Sequence, residues 1–375
     1  MTPDSEFPGQ QRPFRVGLLG TGVIAAPHAQ ALRSLGSAVE LVAVCDRDAA
    51  KAKAFQQAFS VPSVFEDLEA MIASSRLDVV HVLLPPTAHT SMAIACLERG
   101  CHVFVEKPFC LSAQECRSVM DAASANGRRV GVNHNLTFMP SFLRMVEEIQ
   151  NWRLGAIQHV TVTYNLPMGL DRGRHQHWMF GSPERIMLEL GPHPLSVVYR
   201  LLGPVVSAAA LVSGQRILSN GQVFWDTWQS SLACERGSAQ VVLALGGEYL
   251  STGIHAIGQD GEAFVDLLRN TIRVSGRTKY LRSDQLIDGW RNGAGLVRQS
   301  VRNHTARMRG MLGFGPAYEM QNFSMNSSVG AYYQALRTGS RLPVDGADGT
   351  AVVESLEAII ESALARKEVE HHAVR

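Results

Sequence analysis

The sequence predicts an α/β protein of two domains, the first built on a doubly wound parallel sheet and the second on an open, mainly antiparallel sheet. The chain has 375 residues, which is more than one hydrophobic core usually supports. From residue 14 to about residue 136, short apolar runs alternate with helical stretches, as in a parallel sheet covered on both faces. After that, strands follow one another with few helices between them, which is typical of an α+β domain.

The strands of the first domain are predicted from short apolar runs that end in turn signals. Pro85 and Pro86 end the fourth strand, and Gly100 and Gly127 are placed to end the helices before the last two strands. The predicted strands cover 14–19, 40–46, 63–67, 78–86, 102–108 and 128–135. The predicted helices cover 23–35, 49–59, 68–74, 89–100 and 112–127.

The second domain opens with a predicted helix over 137–153, whose apolar residues share one face. A further helix is predicted over 187–202. The predicted strands cover 156–167, 204–218, 222–234, 237–247 and 252–276. The domain boundaries that follow are a disordered or extended N-terminus at 1–13, the first domain at 14–136, the second at 137–346, and a C-terminal helix and tail at 347–375.

The composition excludes several classes of protein. Lys and Arg number 35 against 34 Asp and Glu, so no global charge attracts nucleic acid. No apolar leader opens the chain and no apolar run reaches the ~20 residues of a membrane helix, so we expect a cytoplasmic protein without a transmembrane segment. The six cysteines form no C-x-x-C pair and no zinc-type cluster, so we expect reduced, buried thiols and no metal site.

The segment 281–315 differs from the rest of the second domain in charge, because it contains six arginines and only two aspartates. Val297, Val301, Met308 and Leu312 lie at helical spacing. One interpretation is a surface helix that this apolar stripe docks onto the core. The other is a basic amphipathic helix that contacts a membrane surface, through residues 290–313, or a phosphorylated substrate.

A glycine turn follows the first strand and opens the first helix. Its sequence GTGVIA fits G-x-G-x-x-G/A, in which the glycines allow a tight turn and a close approach of the backbone to a pyrophosphate. An aspartate at the end of the second strand could accept hydrogen bonds from ribose hydroxyls and would repel a 2′-phosphate, which favours NAD; the arginine beside it leaves NADP possible. The residues expected to bind the dinucleotide here are Gly20, Gly22, Val23, Ile24, Asp46 and Arg47.

Several further motifs follow in order: LLPPTAH with Pro85 and His89, the stretch 95–103, EKP at 106–108, ELGPH at 189–193, and LPVDGADG before the last helix. Together with the glycine turn they resemble the Gfo/Idh/MocA family of oxidoreductases, over roughly residues 14–366. The resemblance implies a Rossmann domain joined to an α+β domain, whose open sheet often forms the interface of a homodimer or homotetramer. It also implies a nicotinamide-dependent reaction at one carbinol of a sugar, a cyclitol or a nucleotide sugar.

Within that resemblance, Lys107 belongs to the active site, near both the nicotinamide ribose and the substrate hydroxyl. Pro85, His89 and Glu106 then lie on the cofactor side. In the family the peptide before the proline of EKP is often cis, so we predict a cis bond between Lys107 and Pro108.

The second catalytic motif departs from the family's D-x-G-x-H-x-x-D pattern. Glu189 replaces the first aspartate and Ser196 the last, while His193 keeps its place. Oxidation of a carbinol needs a base for the hydroxyl proton, and histidine has the appropriate pKa range. We therefore expect His193 to act as the acid/base, Lys107 to polarise the oxygen or relay the proton, and Glu189 to orient or tune the imidazole.

The stretch between Tyr164 and Glu189 is rich in arginine, histidine and aromatic residues. Aromatic rings stack on sugars and arginines bind phosphates, which suggests a nucleotide sugar or another phosphorylated sugar. The alternative is a solvated loop with its tryptophan in the core. The candidate substrate-binding residues, which include two after the last strand of the first domain, are Asn133, His134, Tyr164, Arg172, Arg174, His177 and Trp178.

Three functions remain open at this point. The first is an NAD(P)-dependent dehydrogenase or reductase acting on a CH–OH group. The second is a redox-neutral lyase or glycosidase-type reaction that uses bound NAD as a transient oxidant, because oxidation beside a leaving group acidifies a C–H bond. The third is a non-catalytic nucleotide-binding sensor, although the presence of both Lys107 and His193 favours an enzyme.

Overall fold

The computed structural model describes residues 12–151, 153–170, 175–277, 280–312 and 320–373. The predicted N-terminal segment 1–13 therefore lies mostly outside the described residues. The strands are β1 Phe14–Leu19, β2 Val39–Cys45, β3 Ser63–Phe65, β4 Val79–Val82, β5 His102–Val105, β6 Val130–Val132, β7 Ile157–Asn165, β8 Val205–Ile217, β9 Val223–Cys234, β10 Gly237–Ala244, β11 Ser251–Gly258, β12 Gly261–Asp266 and β13 Thr271–Gly276. The α-helices are α1 Ala25–Ser34, α2 Ala49–Ala58, α3 Leu68–Ser75, α4 His89–Glu98, α5 Ala113–Ala125, α6 Pro140–Gln150, α7 Arg185–Leu190, α8 Pro192–Leu202, α9 Leu281–Met311, α10 Met320–Thr338 and α11 Gly346–Ala373.

The first compact unit comprises the described residues up to Asn135 together with Gln321–Val353. Its six strands form a parallel sheet in the order β3-β2-β1-β4-β5-β6. Strands β4, β5 and β6 are buried at every residue, as expected where helices cover both faces of a sheet. The predicted doubly wound α/β domain is confirmed.

Helix α10 packs on this sheet, although the prediction placed its residues in the second domain. Val329, Tyr332 and Leu336 belong to the same buried cluster as Phe14 and Val16 of β1. The hydroxyl of Tyr332 also donates a hydrogen bond to the carbonyl of Val103, at 3.1 Å. The prediction assigned residues to domains by their order in the sequence. It missed that the chain returns to the core of the first unit at residue 321, after the long segment that forms the second unit.

The second compact unit comprises residues from Leu136 to Met320 and from Glu354 onward. Its seven strands lie in the order β13-β12-β11-β7-β10-β9-β8. The pairing of β7 with β10 is parallel and the other pairings are antiparallel, so the predicted open, mainly antiparallel sheet is confirmed.

Some elements of the second unit are more divided than predicted. The single strand expected over 252–276 is three strands, since the chain turns between β11 and β12 and again at Asn270, which has a φ of 50°. The helix expected over 187–202 is two, α7 and α8, which meet at Gly191. A Cβ at Gly191 would lie 2.5 Å from the carbonyl oxygen of Met187, so the close junction requires glycine.

All six cysteines are buried and none forms a disulfide. Burial raises the pKa of the Cys45 thiol to about 11, with smaller contributions from Asp67 and Asp46. Burial likewise raises the pKa of Cys101 to about 11. No helix in the described part of the chain is long and apolar enough to cross a membrane.

Candidate functional site

The glycine turn lies at the carboxyl edge of the parallel sheet, directly after β1. Gly20 has a φ of 105°, and a Cβ there would lie 2.7 Å from the carbonyl oxygen of Leu83. Its N–H donates to the carbonyl of Cys45 at 2.8 Å. Only glycine fits this position, because both the left-handed φ and the contact with backbone exclude a side chain.

Asp46 lies against the glycine turn. Its Oδ2 accepts hydrogen bonds from the N–H of Thr21 at 2.8 Å and from the Thr21 hydroxyl at 2.6 Å. Partial burial raises the pKa of Asp46, but the hydrogen bonds from Thr21 and from the N–H of Asp48 outweigh this effect and hold the pKa below its usual value. Asp46 is therefore a fixed carboxylate. Thr21 was missed in the sequence, where it is an unconstrained position of the glycine motif.

The outer side of the turn is shaped for a ligand. A Cβ built at Gly22 meets no atom within 4 Å, and the side chain of Val23 is 97% exposed although it is apolar. Helix α1 begins immediately afterwards, with Ile24 as its N-cap residue and no side-chain cap. A phosphate at this helix N-terminus would accept hydrogen bonds from the backbone N–H groups there. The rest of a dinucleotide would cover the exposed side chain of Val23. The residues present thus fit a dinucleotide.

The other residues expected near the cofactor divide into exposed and buried groups. Arg47 and Pro85 are exposed. His89 is buried, and its ring contacts two backbone carbonyls, with Nε2 at 2.7 Å from the oxygen of Leu84 and Nδ1 at 2.8 Å from that of Pro108. Burial lowers the pKa of His89, and the bonds to these carbonyls partly offset the effect. His89 therefore connects the loop after β4 to the loop after β5. Its effect on a bound cofactor would come from holding these two loops in place.

The EKP motif follows β5, and the peptide between Lys107 and Pro108 is cis, as predicted. Glu106 points into the unit and is only 6% exposed. Its Oε1 lies 2.8 Å from Nε2 of His28 and accepts from Nδ2 of Asn133 at 2.5 Å, while Oε2 accepts from the N–H of Lys107 at 3.1 Å. Burial alone would raise the pKa of Glu106, but the hydrogen bond and charge of His28, followed by Asn133 and Lys107, lower it to about 2.

Glu106 ends a chain of buried polar side chains that the sequence analysis did not find. Nδ1 of His28 lies 2.8 Å from Nδ1 of His81, and Nε2 of His81 lies 2.9 Å from the hydroxyl of Tyr333. Burial, and then His28, hold the pKa of His81 well below its usual value. Nε2 of His28 donates to Glu106, and one proton lies between Nδ1 of His28 and Nδ1 of His81. The signal in the sequence was His81 itself, an ionisable residue inside the apolar run DVVHVLL.

Asn133 and His134 occupy the end of β6, where the sequence suggested contacts with a substrate. The amide of Asn133 is committed within the unit, because it donates to Glu106 and its Oδ1 accepts from the hydroxyl of Ser328 at 2.8 Å. These bonds fix the orientation of the Asn133 amide, and its expected contact with a substrate stays a prediction. His134 is also buried, and burial, with Lys107 acting in the same direction, lowers its pKa to about 4 although Glu106 opposes this.

The second unit brings four of the predicted residues into two pairs near the junction of α7 and α8. The ring of His193, in the first turn of α8, stacks on Tyr164 with the centroids 6.0 Å apart and the planes 13° from parallel. Oε2 of Glu189, in α7, accepts from Nε1 of Trp178 at 2.9 Å. Burial raises the pKa of Tyr164 to about 12, so its phenol is neutral at physiological pH.

The remaining residues of that stretch lie around this group. Ser196, which occupies the last position of the imperfect motif, donates its hydroxyl proton to the carbonyl of His193 at 2.8 Å. His177 is exposed, and its Nδ1 accepts from the N–H of Met179 at 3.4 Å. Arg172 and Arg174 lie outside the described residues. Over the part of the chain that is described, no three His, Cys, Asp or Glu side chains are grouped to hold a metal ion.

A parallel sheet with a glycine turn, a carboxylate at the end of β2 and a charged motif after β5 defines a dinucleotide-binding protein of the Rossmann class. Residues 14–134 match the family model described as "Oxidoreductase family, NAD-binding Rossmann fold". This part of the chain is similar to the NAD-binding domain of the Gfo/Idh/MocA family.

Curated relatives match in sequence over part of their length. The chain is 28% identical over 209 residues to D-glucoside 3-dehydrogenase of Escherichia coli, an alignment covering 55% of this chain and 59% of the relative. It is 32% identical over 221 residues to inositol 2-dehydrogenase of Salmonella typhimurium, covering 55% of this chain and 66% of the relative. The matched part thus spans less than two-thirds of these relatives.

Solved structures share the fold over nearly the whole chain. The WlbA dehydrogenase of Bordetella pertussis, in complex with NADH and UDP-GlcNAcA, has a TM-score of 0.74 and 22% identity and covers 96% of this chain and 97% of its own. Levoglucosan dehydrogenase, in complex with NADH and levoglucosan, has a TM-score of 0.78 and 18% identity, covering 94% and 98%. At these identities the likeness supports the two-unit fold.

Proposed function

We propose that this protein is an NAD-dependent oxidoreductase that transfers a hydride between nicotinamide and a carbinol or ketone carbon of a sugar, cyclitol or nucleotide sugar. The observation that carries the proposal is the glycine turn, where Asp46 is fixed as a carboxylate beside an open Gly22. The family match of residues 14–134 supports the cofactor. The names of the relatives, which are dehydrogenases of glucosides and inositol, support the class of substrate.

The cofactor would be held at the carboxyl edge of the first sheet. The N–H groups at the start of α1 would bind the pyrophosphate, with Gly20 and Gly22 keeping the backbone close. Asp46 would accept from the ribose hydroxyls. When bound, nicotinamide supplies the carbon that accepts or donates the hydride. The residues we assign to cofactor binding are Gly20, Gly22, Val23, Ile24, Asp46, Arg47, Pro85 and Lys107, with His89 and Glu106 supporting the loops that carry them.

The preference for NAD follows from Asp46, because its carboxylate would repel a 2′-phosphate. Asp46→Ser should lower the KM for NADP relative to that for NAD by about tenfold or more, as one like-charge contact is removed. Asp48→Ser is the matched control: it removes a carboxylate two residues away and retains an oxygen that can cap α2. Equal changes in both variants would contradict the assignment.

For the proton transfer, we assign His193 as the acid/base that takes the proton of the substrate hydroxyl. Tyr164 fixes the plane of the imidazole by stacking, and Trp178 fixes Glu189 by its indole hydrogen bond. Lys107 carries a cationic ammonium that polarises the reacting oxygen. Tyr164, Trp178 and the exposed His177 would face the sugar, since aromatic faces pack on the C–H groups of sugars. Arg172, Arg174 and His134 complete the assigned substrate residues.

We further propose a cytoplasmic homodimer or homotetramer in which one face of the second sheet is the interface. Along β8 the side chains alternate, and Leu211 and Ile217, six residues apart and therefore on the same face, are 46% and 64% exposed. Apolar residues exposed at this period form a patch suited to another protein surface. Light scattering of the purified protein checks the oligomeric state, and Leu211→Glu should shift it toward the monomer.

The experiment that tests the function has two steps. Mass spectrometry of the gently denatured protein identifies any bound nucleotide, and a panel of inositols, glucosides and nucleotide sugars is then followed by NADH absorbance. Formation of NADH with one sugar class establishes the dehydrogenase. Product formation with no net NADH would instead establish the redox-neutral reaction.

Two variants connect the reaction to the assigned residues. His193→Ala and Lys107→Ala should each lower kcat by about 10²–10⁴-fold, the usual contribution of acid–base groups. His255→Ala is the control and should retain full activity, because this half-buried histidine of β11 pairs with Glu262 and is not among the assigned residues. Retention of the biological function by Lys107→Ala would favour the sensor instead.

A further inference from the structure

Helix α9 is attached to the edge strand β13 by amide side chains. Asn292 accepts from the N–H of Val274 at 3.3 Å. Gln299 binds both backbone groups of Ile272, each at 2.9 Å. The expectation that an apolar stripe docks this helix was therefore wrong, since the stripe is not the face that contacts the sheet.

The apolar side chains of α9 lie on the opposite face. At roughly 100° per residue, Trp290 and Val301 point about 160–180° away from Asn292. Their side chains are 82% and 58% exposed, and Val297 between them is 66% exposed. We call Trp290, Val297, Val301 and Met308 the outer stripe. Its side chains face solvent along about five turns of the helix.

This exposure is concentrated in one place. Of the 19 exposed large hydrophobic residues among those described, eight lie between 286 and 312. Single exposed apolar residues are ordinary on a protein surface, but a continuous row of them marks a surface that contacts an apolar phase or a partner.

An arginine-lined groove runs beside the outer stripe, between α6 and α9, with a cavity volume of about 820 Å³. Five arginines line it: Arg144 and Arg153 from the α6 side, and Arg291, Arg298 and Arg302 from α9. Glu148, which pairs with Arg153, and Asp288 are the acidic residues of its lining. Because the guanidinium groups outnumber the carboxylates, the groove suits anionic groups such as phosphates.

The charge of α9 also decides between the possible occupants. From Gly289 to Leu312 the sequence has five arginines and no acidic residue. If two copies of α9 paired antiparallel and symmetrically about the middle of the outer stripe, Arg291 of one copy would lie beside Arg307 of the other. Like charges there would oppose pairing, whereas a surface of negative charge would neutralise all of them.

We propose that α9 is a docking surface for an anionic lipid membrane. The outer stripe enters the headgroup region, with Trp290 at the interface between water and acyl chains, and the arginine groove takes the phosphates of the lipids. The helix lies in the plane of the membrane. This inference is independent of the proposed reaction, and it places the protein at the surface where a lipid-linked substrate would be found.

Flotation of the full chain with lipid vesicles tests the proposal. Vesicles of phosphatidylcholine with about one-third phosphatidylglycerol should bind the protein, and vesicles of phosphatidylcholine alone should bind it at least tenfold more weakly. Because the arginines act through charge, ~0.5 M salt should release most of the bound protein. Fluorescence should shift to the blue with anionic vesicles, and Trp290→Ser should remove most of that shift.

Two variants separate the roles of charge and apolar contact. Arg291→Gln with Arg298→Gln and Arg302→Gln should weaken binding about 100-fold, or about fivefold for each arginine. Val297→Ser with Val301→Ser should weaken it by a similar factor. The matched control is Arg76→Gln with Arg117→Gln and Arg236→Gln, which removes the same charge from exposed positions elsewhere and should bind as the unaltered protein does.

Three results would overturn the proposal: equal binding to neutral and anionic vesicles, an equal loss in the control variant, or the absence of binding to either vesicle. If Trp290→Ser converts a dimer to a monomer in light scattering, the stripe is a contact between copies. If soluble polyglutamate binds and anionic vesicles do not, the surface takes an acidic protein. Thermal melts of all variants establish that each is folded.

Discussion

The polar residues behind EKP and those beneath α9 both pack against a sheet, but they differ in burial and in what they hold in place. In the first unit, His28, His81 and Glu106 form a chain of ionisable groups deep in the core. In the second unit, Asn292 and Gln299 are neutral amides at the rim of the sheet, bonded to the open edge of β13. A buried ionic chain is stable only while every member is present, whereas a ladder of amides can lose one member and keep the others.

The largest effect is expected from the ionic chain. His28→Leu removes the partner of Glu106 and leaves a buried carboxylate with fewer donors, so the free energy of unfolding should fall by about 3–5 kcal/mol. Urea denaturation measures this change. His28→Leu combined with Glu106→Leu should recover much of the loss, because the core then holds no buried carboxylate that lacks its donor.

A surface pair supplies the contrast to that prediction. Arg99→Gln breaks the ion pair between Arg99 and Glu69, whose side chains are 36% and 56% exposed. The expected change is within ~1 kcal/mol. If His28→Leu lowered the free energy of unfolding by no more than Arg99→Gln does, the buried chain would stabilise the protein no more than a surface ion pair, which would contradict the prediction.

The pH dependence of stability should also distinguish the units. Nδ1 of His102 accepts from the N–H of Arg129 at 2.9 Å, and burial, followed by Arg128 and Arg129, lowers its pKa to about 4. Between pH 6.5 and 4 the unfolded imidazole is protonated and the folded one is not, so the unfolded chain binds more protons and stability falls as the pH is lowered. His102 should contribute about 3 kcal/mol to this fall.

His102→Asn tests that contribution. Asparagine keeps an oxygen near the position of Nδ1 and does not titrate, so the loss of stability between pH 7 and pH 4 should shrink by about 3 kcal/mol in denaturation series. The side-chain amides of Asn292 and Gln299 do not titrate in this range. The protection of β13 and α9 from hydrogen exchange should therefore not change as His102 is protonated. An unchanged pH profile in His102→Asn would contradict the assignment.

The smallest effect is expected beneath α9. Gln299→Ala removes both hydrogen bonds to Ile272, together with the bond from Arg144 to Oε1 of Gln299 at 2.8 Å. The cost should be about 1–2 kcal/mol and local, seen as faster hydrogen exchange in β13 and α9 with little change in global unfolding. Ser300→Ala, at the adjacent exposed position, is the control. Global destabilisation by Gln299→Ala would mean that α9 supports the whole unit.

The sequence predicted the first sheet well because its strands are short apolar runs whose order follows the chain. The glycine turn and EKP were visible because Gly20 and Pro108 have backbone requirements that few other residues meet. Asp46 was predicted from its place at the end of the second strand and its spacing from the glycine turn, and the structure places it against the turn.

The buried chain from Glu106 to Tyr333 was not predictable in the same way, since its members come from four separate elements. The docking face of α9 was missed for a different reason. Apolar spacing normally marks the buried side of a helix, and here Asn292, Gln299 and Asn303 occupy that side instead. Which face of a helix packs on the protein depends on the surface that it meets, and the periodicity of the helix sequence carries no information about that surface.

The burial of all six thiols has a practical consequence for work on this protein. Alkylating reagents react with accessible thiolates, and a thiol enclosed in the core offers few of them. A cysteine introduced at Val297 would therefore be labelled selectively without removing any native cysteine. A spin label or fluorophore at that position would then record the depth and orientation of α9 at a lipid surface.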